Sequence, residues 1–265
     1  MKRITLGALD YAVAFGVDRA LRSLLLEGRL SAVGCLVASE LWAREFKPMQ
    51  EVAEKVGQRA LIGVTLAFSG DRVQPVSERM RELYHEKMPS RGLVERRAML
   101  RLLPDEVFAA EADAQLTRFT FFMNREPDFI AVREGLMERS AIARHVFDAI
   151  ERAGFERPPK IISPFEPGLH ARRLNRIAAK KGLEVLPKGP SLPETADSQD
   201  LHRKLRRHFD GLQDMTFVHC IPAQVDDRLR REEPREKVAI RECQWEVLRS
   251  DRFFHTLEET DVFLN

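Results

Sequence analysis

Residues 3–10 read Arg-Ile-Thr-Leu-Gly-Ala-Leu-Asp, and residues 16–26 read Gly-Val-Asp-Arg-Ala-Leu-Arg-Ser-Leu-Leu-Leu. The first run is short, apolar and closed by an acid, as a strand entering a loop would be. The second sets Val17, Leu21, Leu24 and Leu25 at helical spacing, which gives one apolar face. Residues 32–38, Ala-Val-Gly-Cys-Leu-Val-Ala, are then apolar without interruption, the pattern of a strand covered on both faces. Strand, helix and buried strand in that order make a βαβ unit, and so a parallel sheet.

The alternation continues to the end of the chain. Ser39 is read as the cap of a helix over 40–56, its hydroxyl facing the free N–H groups of the first turn. A third strand is expected over 60–68. Residues 70–103 break the rhythm with mixed charge, Pro75 and Pro89. They are read as an excursion from the rim holding one short helix near 77–85, a natural lid or partner surface. Helices follow over 104–122, 140–153, 169–181, 198–212 and 237–249, with strands at 128–132, 160–163, 183–186 and 215–221 and a terminal segment at 261–264. Pro104 suits the first helical position, and Asp105 and Glu106 suit the positive end of the dipole. The sum is seven or eight β/α units in one barrel domain over 1–265, a distorted TIM-like (β/α) barrel of the α/β class.

Composition narrows the function. Forty-three basic residues face 41 acidic ones for a formal charge of +2, a balance unlike that of a dedicated nucleic-acid protein. The basic stretches 171–181 and 202–208 are amphipathic, as solvated helix faces are. Cys35, Cys220 and Cys243 are too few and scattered for a disulfide framework or zinc knuckle. No apolar run reaches the length of a membrane span. The basic start followed by apolar residues resembles a signal peptide, but Asp10 and then Asp18-Arg19 interrupt the run, so a cytoplasmic chain is expected.

In a parallel barrel, functional residues gather where strands end. The first strand ends Gly7-Ala8-Leu9-Asp10-Tyr11, with Gly16-Val17-Asp18-Arg19-Ala20 following. Together with Gly28-Arg29-Leu30-Ser31-Ala32, Ile62-Gly63-Val64, Glu126-Pro127-Asp128-Phe129, Val218-His219-Cys220-Ile221-Pro222 and Arg241-Glu242, this ordered set resembles the YdjC/ChbG-like carbohydrate deacetylases, including their hopanoid-associated members. The resemblance implies a barrel in which a metal-bound water attacks an N-acetyl group, with one carboxylate as base and a second carboxylate and two histidines as metal ligands. Carried over by position, the expected base falls on Leu9 and the surviving acid on Asp10. The histidine of the third strand falls on Thr65. The His-x-His stretch falls on Arg133-Glu134-Gly135, and the last histidine falls on Ile221. A catalytic divalent ion needs about three protein ligands, and an arginine among them repels it. The sequence therefore predicts no metal cofactor; zinc or magnesium belongs to the alternative in which ligands assemble from residues not paired here.

Asp10 and Arg133 are the best surviving pair, read as a buried salt bridge in the place of the metal; the alternatives are Asp10 capping the helix near Gly16 or lying solvated at the rim. His219 shares a strand face with Ile221 and not with Cys220, so it faces the barrel either toward a ligand or as a hydrogen-bonded core histidine. The binding set is Asp10, Tyr11, Thr65, Arg133, Glu134 and His219. Residues 226–237 are read as a mobile, solvated loop. The functional expectation is a non-catalytic pseudoenzyme binding a carbohydrate-like ligand or a protein partner, a second copy included. The alternative is a divergent metal-dependent hydrolase of N-acetylated sugars. A purely structural or assembly role would follow if Leu9, Met137 and Ile221 plugged the mouth while a broad apolar patch remained exposed.

Overall fold

A computed structural model describes residues 1–265. Seven strands, β1 (Lys2–Tyr11), β2 (Ala32–Cys35), β3 (Leu61–Leu66), β4 (Phe129–Val132), β5 (Lys160–Ile162), β6 (Val185–Leu186) and β7 (Thr216–His219), run parallel in the order β6-β5-β4-β3-β2-β1-β7. The barrel nearly closes. Its seam is made by the chain just after β6: Lys188 bridges Phe217, and Phe217 N–H donates to Pro187 O at 2.8 Å. The terminal strand β8 (Val262–Leu264) is an annex rather than an eighth stave. It pairs with Lys2–Ile4 of β1, where Asn265 N–H bonds Ile4 O at 2.9 Å on the edge that Ser31 continues by donating to Leu6 O at 3.0 Å.

Helices α1 (Phe15–Leu26), α2 (Trp42–Val56), α3 (Glu78–Tyr84), α4 (Arg91–Met99), α5 (Asp105–Met123), α6 (Ser140–Ala153), α7 (Leu169–Lys180), α8 (Ser198–Asp210), α9 (Asp227–Glu232), α10 (Arg235–Arg249) and α11 (Asp251–Glu259) surround the strands. The apolar runs pack in two bodies. The larger lies between strands and helices. The smaller, with Phe129, Ala131, Ile162 and Phe217, fills the barrel itself. Its rings need room: a Cβ on Gly63 would lie 2.4 Å from Phe129 O, and one on Gly7 would lie 2.7 Å from the Phe217 ring. These two glycines let the aromatic residues occupy the barrel floor.

Several boundaries differ from the sequence reading. Ser39 does not cap a helix at Glu40. Its Oγ donates to Ala12 O at 2.6 Å and accepts from Leu41 N–H at 3.1 Å, so it closes a turn before α2 starts at Trp42. Pro104 is the cap residue rather than the first helical one. The excursion holds two helices, α3 and α4, capped by Ser77 and Ser90. Residues 226–237 are not a solvated loop, since Asp226 caps α9 by accepting from Leu229 N–H at 2.9 Å. The helix α11 was not foreseen.

Candidate functional site

Two local departures from regular backbone build the barrel mouth. Between Ala8 and Tyr11, three steps along β1 oppose two along β2, since Ala8 pairs with Val33 and Tyr11 with Cys35. This bulge breaks the alternation of a strand and turns both Leu9 and Asp10 to the mouth. After β4, Glu134 and Gly135 adopt left-handed φ values of 60° and 69°. That step sends Arg133 and Glu134 inward together.

The cavity so formed has a volume of about 520 Å³, inside the range of roughly 300–1,000 Å³ usual for small-molecule sites. Leu9, Met137 and Ile221 stand on its wall and do not plug it. Its centre is an ion network. Arg241, on α10, donates from Nη2 to Asp10 Oδ2 at 2.7 Å and from Nη1 to Ile221 O at 3.1 Å. Its Nε donates to Glu233 Oε2 at 2.7 Å. Glu233 also accepts from Arg72 Nη1 at 2.9 Å and lies 3.3 Å from Lys237 Nζ. The side chains of Arg241 and Glu233 are 3% and 2% exposed, so neither charge has water as an alternative partner. Burial alone pushes the Glu233 carboxyl up, but the hydrogen bonds and charge of Arg241, with Lys237 and Arg72, hold it down at about 2. Burial disfavours the charge of Arg241, yet Asp10 and Glu233 raise its pKa above the ordinary value.

Asp10 is therefore paired, but not with Arg133 as expected. Arg241 takes the place because α10 packs against the segment that follows β7, where Ala223 N–H donates to Arg241 O at 3.1 Å and Ile221 N–H to Gln244 Oε1 at 2.7 Å. Asp10 does not cap the first helix either, for Gly16 N–H donates to Asp226 Oδ2 at 2.6 Å. Three polar atoms of residues lining the cavity have no protein partner: Asp10 Oδ1, Thr65 Oγ1 and Arg133 Nη1. An orphaned buried polar group costs about 1–3 kcal/mol, a cost that a water or a bound molecule at the mouth would relieve.

The remaining foreseen residues divide. Glu134 reaches the mouth and accepts from Ser69 Oγ. His219 lines the cavity, where burial lowers its pKa against the opposing pull of Asp10. Tyr11 does not join them. It is fully buried on the outer side of β1, donating to Glu45 O at 2.8 Å and accepting from Arg22 Nη1 at 2.7 Å. Beyond the bulge, the next residue faces the helix layer.

The sequence reading missed Arg72, Lys188, Glu233, Lys237 and Arg241, all of which line the mouth. Arg241 had a usable signal. Val238, Arg241, Trp245 and Leu248 share one helix face and are buried, and a charge inside an apolar stripe demands a counterion. Arg72 had none, because its partner Glu233 lies far away in sequence, and Glu233 was hidden in a stretch dense in both charges although Lys237 and Arg241 follow it closely.

In the mouth, no three His, Cys, Asp or Glu side chains converge in a way that could hold a metal ion. The fold and site thus define a parallel α/β barrel with a charged pocket at the carboxyl ends of its strands. The chain belongs to the YdjC-like protein family, whose model matches residues 3–259. Among solved structures, it is similar to a proposed cellobiose-phosphate cleavage protein of Enterococcus faecalis, with a TM-score of 0.75 at 15% identity, covering 100% of this chain and 97% of that one. No curated protein matches the sequence.

Proposed function

We propose that this YdjC-like chain binds a carbohydrate-like ligand in the barrel mouth without metal-dependent hydrolysis. The observation that carries the reading is the Asp10–Arg241 contact at 2.7 Å. A divalent ion beside Asp10 would meet a guanidinium already bound to that carboxylate and would be repelled at short range. Leu9 stands where the family resemblance puts the base, and a leucine accepts no proton. The pocket suits an uncharged polyhydroxyl molecule. Asp10 Oδ1 offers an acceptor, Arg133 Nη1 a donor and Thr65 Oγ1 either, all lacking protein partners. Sugar hydroxyls both donate and accept, so they suit a mouth lined by acids and bases together, Asp10 and Glu134 beside Arg133 and Lys188. Burial lowers the His219 pKa and so favours the neutral ring, which offers one donor and one acceptor.

The test joins calorimetric titration of glycans with an acetate-release assay on N-acetylglucosamine oligomers, with and without added zinc. Binding without acetate release is expected, weakened about tenfold or more in Arg133→Ala, because a hydrogen bond to a charged donor contributes about 1.5–3 kcal/mol. Stoichiometric zinc, with turnover abolished by Asp10→Ala, would restore the hydrolase reading. Failure of a broad glycan panel to bind would end the ligand reading.

A further inference from the structure

The helix α7 carries a surface feature that the mouth does not use. It reads Leu-His-Ala-Arg-Arg-Leu-Asn-Arg-Ile-Ala-Ala-Lys and holds no acidic residue. Leu174 and Ala178 are its buried stripe, which leaves Arg172, Arg173, Arg176 and Lys180 exposed. None of these four makes a salt bridge, whereas the next residue, Lys181, meets Asp148 at 3.1 Å and Glu151 at 2.6 Å. The other basic helix, α8, is largely neutralised: Arg203 and Lys204 share Asp200 at 3.4 and 2.6 Å, and Arg206 lies 3.7 Å from Glu259. Arg172, Arg176 and Lys180 recur every fourth residue, so they form one row with steps of about 6 Å along the helix. Leu169, at the start of that outward side, is 81% exposed, and Ile177 beside it is 40% exposed.

We propose that the outer face of α7 docks the protein peripherally on an anionic lipid surface. A molecule of near-zero net charge that leaves four cations unpaired on one helix presents a local positive field, and anionic headgroups are its complement. Each such cation strengthens adsorption about fivefold, while Leu169 and Ile177 offer apolar tips to the headgroup boundary. Single-stranded nucleic acid fits less well, because it requires exposed rings on which bases stack. The one ring on this helix, His170, is exposed but has one face stacked on Phe165 at 5.4 Å, too little for a row of bases.

The test is co-sedimentation of the full chain with vesicles of phosphatidylcholine alone and of phosphatidylcholine mixed with phosphatidylglycerol. Binding to the mixed vesicles only is expected, weakening as salt is added. Arg172→Gln with Arg176→Gln should weaken it by roughly 30-fold, Leu169→Ser should weaken it several-fold, and Arg203→Gln with Lys204→Gln should leave it unchanged. Circular dichroism checks that each variant is folded. Equal adsorption to both vesicles, adsorption to neither, or an equal loss in the α8 variant overturns the proposal. So does capture of a single-stranded RNA oligonucleotide without vesicle binding.

Discussion

At the scale of single residues, buried charge decides the outcome of most substitutions. Arg241 is enclosed by Asp10, Glu233 and the Ile221 carbonyl. Removing it strands Asp10 and leaves Glu233 with Arg72 and Lys237 alone, so Arg241→Ala is expected to lower the unfolding free energy by about 3–5 kcal/mol in urea titrations. Asp10→Asn should cost less, since an amide oxygen still accepts from the guanidinium. Glu233, held at about 2, sets an acid limit. Its pKa in the folded chain is depressed, so its contribution is complete above about 4.5 and is lost as pH falls toward about 2. Unfolding free energy measured across that interval should drop in the wild type and drop less in Arg241→Ala. Asp18 has the opposite sign. It is fully buried, and burial raises its pKa well above the carboxylate range although Ala12 N–H bonds its Oδ1. A raised acid pKa means that stability is highest below the unfolded value and declines as pH rises past about 4. An amide at this place keeps an oxygen for Ala12 N–H and carries no charge to bury. Asp18→Asn should therefore remove that part of the slope, so that its stability relative to the wild type improves as pH rises, against a fixed cost from the NH2 group placed where Asp18 Oδ2 has no partner.

At the scale of elements, the excursion over 70–103 is fastened rather than loose. Gln115 on α5 accepts from Ala67 N–H at 2.9 Å and donates to Ala67 O at 2.6 Å. Glu111, one turn earlier, accepts from Val76 N–H at 3.0 Å and Ser77 N–H at 2.8 Å. Arg72, from the same segment, reaches Glu233 across the mouth. Glu111→Ala is expected to cost about 1–3 kcal/mol through the N–H groups it leaves unmet, and to speed limited proteolysis within 70–90 while sites on α6 stay protected. The sequence made the strands and most amphipathic helices legible because burial imposes a period on them, although α11, with Phe253, Thr256 and Leu257 buried, went unread. It hid α4 and α9, since Arg91–Met99 carries one buried residue, Val94, and Asp227–Glu232 only Leu229. Helices held by caps and ion pairs leave no apolar stripe to read. The bulge at Leu9–Asp10 was hidden too, because it depends on how β1 registers with β2 and not on composition.

At the scale of the whole molecule, the α/β class and the barrel could be read from residues 3–38 and their repetition, whereas the closure could not. Nothing in the residues after β6 marks Lys188 as the one that meets Phe217. The candidate site was legible in the same uneven way. Asp10, Thr65, Arg133, Glu134 and His219 do meet at the mouth, because strand ends in a parallel barrel converge. The partner of Asp10 was misassigned, because α10 returns to the barrel end from more than two hundred residues away. No helix is long and apolar enough to cross a membrane. The central claim is that a guanidinium holds the surviving carboxylate where a metal would otherwise bind. Its most direct test is anomalous diffraction at the zinc absorption edge from crystals soaked in a zinc salt. The expected map shows Arg241 against Asp10 and no zinc peak beside that carboxylate; a strong peak there, with the Arg241 side chain displaced, would contradict it.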